Sequence, residues 1–339
     1  MTRDNRTTRE RHKRWSARAP ALVMVLAGLT FAGLGAPAEA QEECDLSPPG
    51  ACTRTSDAAL RACRAEARDD FWIAIGKCRN LSDGRRECAT EAGAAREEAQ
   101  VECIDQCEAR QDVCDLLGQG RHDPDFDPAN FVNPDDIGDT VAPNPYFPLV
   151  PGARWVWAGG GETITDTVTN KSKLIEGVTC RVVHDVVEED GQVIEITDDW
   201  FAQDLDGNVW YCGEIPQNFE TFDGDDPDEP ELVSIDGAWK AGRERDNAGM
   251  LVLANPQVGE GYREEVSLGE AEDVAEVISI TGTESVPATQ CANDCVVTRN
   301  FTALEPGVNE LKHYKAGVGL ILEVESDGTR IELVEFTIP

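Results

Sequence analysis

The chain has 339 residues, with 65 acidic against 30 basic side chains and a formal net charge of −35 at pH 7. Such a surface repels nucleic acid and anionic lipid over a screening length of about 8–10 Å, which argues against nucleic-acid binding. The length allows one or two domains with a sizeable core.

The first 40 residues read as a secretory signal. Arg3, Arg6, Arg9, Arg11, Lys13, Arg14 and Arg18 form a basic start, residues 21–34 are apolar, and Ala38-Glu39-Ala40 fits a small-x-small cleavage pattern. Cleavage after Ala40 leaves a mature chain from Gln41 with a net charge of −39, since 7 of the basic and 3 of the acidic residues precede it. An uncleaved anchor is the alternative, but the apolar stretch is shorter than the roughly 20 residues a span needs. No second apolar run is long enough to cross a membrane. The expected location is periplasmic or extracellular.

Residues 41–120 read as a cysteine-rich α-hairpin. Leu60, Cys63, Ala67, Phe71, Ile75 and Cys78 recur at three- and four-residue steps, one face of an amphipathic helix. Ser56 and Asp57 are candidates to cap its start. Residues 80–84 supply a turn, and a second helix follows over 85–117, ended by Gly118 and Gly120. In antiparallel helices of equal rise, residues level with each other have a constant index sum. Cys78 with Cys88, Cys63 with Cys103, and Cys52 with Cys114 all sum to 166. Fifteen residues advance a helix by about four turns plus 60°, so these cysteines stay near one seam. The expectation is a ladder of those three bridges, with Cys44 and Cys107 left to pair. Cys107 lies one turn from Cys103 and is a rival partner for Cys63.

Residues 121–148, rich in Asp and Pro, read as a linker. Pro lacks the amide hydrogen and restricts its predecessor, so no helix continues through it, and charge favours an extended tether.

Residues 149–339 read as an antiparallel β domain of about ten strands, curling into a half-barrel or open barrel. Val178, Cys180, Val182, His184 and Val186 alternate with polar neighbours. Ile331 and Leu333 share one face, and Val334, Phe336 and Ile338 the other, which calls for a bulge between them. The whole is α+β with the two classes segregated.

Four segments of this part carry a resemblance: residues 144–157 (NPYFPLVPGARWVW), 198–214 (DDWFAQDLDGNVWYCGE), 255–262 (NPQVGEGY) and 314–323 (YKAGVGLILE). Over about 144–339 the chain resembles uncharacterised secreted bacterial proteins with an all-β domain. In outline the meander is similar to the curved-sheet lipoprotein carriers of the periplasm. The resemblance implies a fold and carries over no catalytic residue.

The chemistry expected is mostly structural. An even number of cysteines in an exported chain favours disulfides, and no C-x₂-C knuckle suggests a metal site. In the β domain Cys180, Cys212, Cys291 and Cys295 allow three connectivities. Cys180 with Cys295 and Cys212 with Cys291 is the expected one, and a local Cys291–Cys295 bridge is its rival. No G-x-S-x-G elbow and no H-E-x-x-H occurs. His184 reads as a core histidine on an apolar strand face, and His313 has no evident partner. With so many carboxylates, pairing alone says nothing about glycoside hydrolysis. Asp204, Asp206 and Asn208 open like a calcium loop, but Ile215 stands where the twelfth-position Glu belongs. A β-turn with Asp206-Gly207 at its tip is the preferred reading. Trp155 and Trp157 share a strand face, suited to core packing or to stacking on a ligand.

The functional expectation is an exported, non-catalytic binding or scaffolding protein for an unknown protein or a small apolar ligand. One alternative is a periplasmic carrier, whose sign would be an apolar cavity of a few hundred Å³ lined by Trp and Val. Another is a secreted hydrolase, whose sign would be His184 or His313 in a cleft beside a carboxylate and a Ser or Thr.

Overall fold

A computed structural model describes residues 43–222, 224–227 and 229–339. The expected signal peptide falls outside the described residues. The chain divides into two compact units, with the boundary between Arg121 and His122.

The helical unit holds α1 (Ala51–Arg79) and α2 (Arg85–Leu117). α1 starts at Gly50, earlier than a cap at Ser56 would place it. Ser56 lies inside the helix instead, buried, with its hydroxyl 3.4 Å from the Cys107 carbonyl oxygen. Gly84 makes the turn into α2 with φ +71°, a left-handed conformation that favours glycine. The bridges are Cys78–Cys88, Cys63–Cys103, Cys52–Cys114 and Cys44–Cys107. The apolar core beside them is small, comprising Leu60, Ile104, Cys44, Cys103 and Cys107.

The β unit is a single antiparallel sheet of thirteen strands, more than the ten expected. They are β1 (Arg154–Gly159), β2 (Glu162–Ile175), β3 (Val178–Glu189), β4 (Gln192–Gln203), β5 (Val209–Glu220), β6 (Glu231–Ser234), β7 (Gly249–Val252), β8 (Gly261–Arg263), β9 (Asp273–Val286), β10 (Thr289–Thr302), β11 (Asn309–Lys315), β12 (Gly319–Val324) and β13 (Arg330–Thr337). The order is β6-β5-β4-β3-β2-β1-β13-β12-β11-β10-β9-β8, with β7 beside β5. Short turns force this antiparallel meander, and β1 and β13 zip its two halves together. Val334 is the extra residue where β1 meets β13, which is the bulge the face change demands. The sheet is not closed. Between β7 and β8 the Asn247 N–H reaches the Val266 carbonyl at 3.2 Å. A Cβ on Gly249 would stand 2.1 Å from the Glu264 carbonyl oxygen, so only glycine lets the two edges approach this closely.

The sheet buries both faces. Inside lie Trp155, Trp157, Ile164, Val168, Val183, Val187, Phe201, Tyr211, Trp239, Ile321 and Leu333. Outside, over β3 to β5, a second cluster joins Val178, Cys180, Val182, Trp200, Ala202 and Cys212. Phe126 and Phe131 cover it and stack edge-on at 4.9 Å. Residues 122–148 are therefore no free tether. They are irregular, as their prolines require, but Phe126 and Phe131 cover the outer face while Ile137 and Phe147 pack into the inner core. Arg181, buried on β3, reaches Asp135 of this segment at 2.8 Å.

The two disulfides here differ from the expected pairs. They are Cys180–Cys212 and Cys291–Cys295. Strands β2, β1, β13, β12 and β11 separate β3 from β10, so Cys180 cannot reach Cys295. Cys212 is instead the bulged residue of β5, opposite the Trp200/Phe201 step of β4. The bulge aims its sulfur into the outer cluster. Cys291 and Cys295 clasp the register shift of β10 against β9, where Asn293 takes φ +65°.

Candidate functional site

The site is built by the inward face of β1, β2, β4, β5, β11 and β12 and by the segments around β7 and β8. It forms a partly open cavity of about 140 Å³. Phe147, Trp155, Trp157, Phe201, Tyr211 and Tyr314 form its aromatic wall, and Leu251, Val252 and Leu320 its aliphatic part.

The wall is fixed from behind. Trp155 and Trp157 alternate correctly on β1 to point the same way, and their rings stack with centroids 6.4 Å apart. Their indole N–H groups donate to the carbonyls of Val318 and Leu320, at 2.6 and 3.0 Å. Phe147 stacks on Trp155 at 5.8 Å. It is held there by Asn144, a buried side chain whose Oδ1 accepts from the amides of Tyr146 and Phe147 while Nδ2 donates to Gly207 at 2.8 Å. The NPYFP run thus makes an Asx-type turn that presents a ring to the cavity.

The rest of the lining is acidic. Asp166, Asp199, Glu264, Glu265 and Asp273 face the cavity with one cation, Lys312. Alternation places Glu195, Thr197, Asp199 and Phe201 on the inner face of β4, and Val183, Asp185 and Val187 on that of β3. Asp166 and Asp185 are cross-strand partners. Tyr211 has one proton for two carboxyl oxygens, Asp199 Oδ1 at 2.5 Å and Glu214 Oε2 at 2.9 Å. A proton on one of these acids would let that acid donate to the phenol oxygen while the phenol donates to the other. Burial pushes the Asp199 and Glu214 carboxyls well above the usual range, and neighbouring carboxylates add to it. Burial, then the charge of Asp166, does the same to Asp185. Burial raises Glu265 too, and lifts Glu264 to about 7 despite the hydrogen bond it accepts from Asn300 at 2.7 Å. Shifts of this kind concentrate at functional sites.

Lys312 keeps its charge, held up by Glu310 and Glu323 at 3.6 and 4.0 Å against the cost of burial.

Of the residues weighed for chemistry in the sequence, only Trp155 and Trp157 belong to this site. His184 is on the outer face, 42% exposed at the side chain, with Nδ1 2.9 Å from Asp198 Oδ1. It is thus no core histidine, because the alternation Val178-Cys180-Val182 describes the outer cluster and ends in solvent. His313 is buried, which lowers its pKa, and does not line the cavity. The Asp204 carboxylate accepts from the Asn208 amide, Asn208 Nδ2 and Trp210 Nε1 at 2.8 to 3.0 Å. Asn208 Oδ1 accepts from Ala254 N–H. With Asp206, these oxygens form a hydrogen-bonded turn, and no metal-holding group of three or more His, Cys, Asp or Glu occurs among the described residues. Of the carboxylates that do converge, Asp166, Asp185 and Asp199 lie on strand faces whose alternation looks solvent-directed, and Glu264 and Glu265 follow β8 outside any strand.

Six disulfides in one chain point to an oxidising compartment outside the cytoplasm. No described helix is long and apolar enough to cross a membrane. Comparison with protein-family models, curated proteins and solved structures finds no match to this chain.

Proposed function

We propose that this is an exported, non-catalytic binding protein, delivered by a cleaved N-terminal signal, whose β unit holds a small ligand in the cavity. The observation that carries the reading is an unfilled, aromatic-walled space inside an otherwise densely packed sheet. Natural interiors leave few voids larger than a water molecule, and a dry cavity of about 150 Å³ is enough to take benzene. The space is smaller and more acidic than a purely apolar carrier site would be. Of the two non-catalytic roles, binding has a site of its own and scaffolding does not. The histidines favour no hydrolase, since neither lines the cavity.

The test is native mass spectrometry of the protein purified from its own host, alongside a Leu251→Trp variant that fills the cavity. A small molecule retained by the native protein and lost from the variant is the expected result. A native protein without adduct, or an adduct indifferent to the filling, overturns the reading.

A further inference from the structure

The chemistry of the cavity wall narrows the ligand class. Asp166, Asp199, Glu264, Glu265 and Asp273 line it against Lys312 alone. Lys312 is already balanced by Glu310 and Glu323, which stand outside the lining. Acid is therefore in excess. A second observation is independent of charge. Tyr314 is more than nine-tenths buried on the same wall, and its hydroxyl, which makes no hydrogen bond among the described residues, is not sealed off from the cavity. A polar group that opens on the cavity is completed by whatever occupies the space.

We propose that the cavity takes a small organic cation, a protonated amine carried on a compact aromatic or aliphatic body. The inference rests on the reading of the cavity as a ligand site. Its ammonium would meet Glu265 and Asp199, with the Tyr314 hydroxyl as a further acceptor, and its body would lie along Trp155 and Trp157. Each part of the wall then has a partner. The carboxylates gain charge-assisted hydrogen bonds, the indole faces attract the cation through their quadrupoles, and the aliphatic lining buries the body. An anion would meet five acids against one lysine, which Glu310 and Glu323 already balance. Burial, with the charge of neighbouring carboxylates, raises the pKa of Asp199 and Glu265, and an entering cation supplies a counter-charge that favours their ionised form.

The test uses the full chain with its disulfides intact and three probes of nearly equal size: benzylamine, benzyl alcohol and benzoate. Calorimetry should find benzylamine bound ~10-fold or more tighter than benzyl alcohol, the margin expected when a neutral hydrogen bond becomes a charge-assisted one. Benzoate should bind weakest. Glu265→Gln and Asp199→Asn should each shrink the margin between amine and alcohol. If benzyl alcohol binds as tightly as benzylamine, the cation inference fails and the cavity stands as an apolar site. If the margin survives both substitutions, the carboxylates are not its source and the inference fails as well. If none of the three binds, the cavity is no ligand site and both readings fall.

Discussion

The two units reach stability by opposite routes. The helical unit has a core of a few apolar side chains and four bridges. The β unit has a large core on two faces and two bridges. A small Ala-rich pair of helices buries little at about 25 cal/mol per Å², so covalent links must restrict its unfolded state. A sheet with a filled inner face and a covered outer patch over β3 to β5 does not depend on them, and it can leave space and buried charge inside. The difference teaches where function can reside: only the unit with surplus burial tolerates a cavity lined by acids.

The sharpest way to break this comparison is reduction. Three of the hairpin bridges close separations of 40, 62 and 63 residues, each contributing about 2–4 kcal/mol. Thiol reductant should therefore melt the helices outright while the sheet survives. Circular dichroism should lose its helical bands, and tryptophan fluorescence, dominated by the β unit, should stay native. Simultaneous loss of both signals would show that the units do not differ in this way.

The next effect is set by pH. Asp185, Asp199, Glu214, Glu264 and Glu265 are all held above their ordinary range by burial. For a carboxyl raised on folding, the native state binds more protons than the unfolded chain. Its stabilising contribution is complete below the unfolded value of about 4.3 and is lost as pH rises through the folded one. For Glu264 that window ends at about 7. The melting temperature of the β unit should thus fall between pH 5 and pH 8, and Glu265→Gln should flatten the fall. A melting temperature that climbs over this range would mean that the interior acids are ionised and paired.

How much of this was legible in the sequence follows the same division. The hairpin could be read because helical rise is constant, so cysteine spacing encodes the level of each rung. In the sheet, strands were legible from alternation, but inside and outside were not. On β3 the row Val178, Cys180 and Val182 is apolar because Phe126 and Phe131 cover it. The true interior row holds Arg181, Val183, Asp185 and Val187. Polar residues on an inner face look like a solvated one, and this hid Asp185, Asp199 and Glu195. The bulge at Cys212 is equally silent, since one extra residue re-aims a side chain without changing composition.

Removing a ring from the wall should cost less than either of those changes and remain local. Trp155 is almost fully buried, stacked between Phe147 and Trp157, and hydrogen-bonded through its indole. Trp155→Ala should destabilise the β unit by about 3–5 kcal/mol in urea unfolding and leave the helical bands of the folded baseline unchanged. A cost below about 1 kcal/mol, the scale of a surface change, would mean that the cavity wall is not a packed part of the core.

The smallest effect belongs to a bridge, and its size separates covalent from packing stability within the β unit itself. Cys180–Cys212 spans 32 residues and Cys291–Cys295 only 4. Loop-closure entropy grows with the logarithm of the span, giving about 4 kcal/mol for the first and about 2 kcal/mol for the second. The shorter bridge clasps a register shift whose strands are already paired along most of β9 and β10. Its replacement by serines at both positions should therefore cost no more than about 2 kcal/mol, read as a small drop in urea midpoint with an unchanged slope. A larger cost, or a changed slope, would mean that this clasp holds the register of β10, and through it the position of Lys312 and Tyr314 on the adjoining β11. The sheet would then depend on its covalent links as the hairpin does.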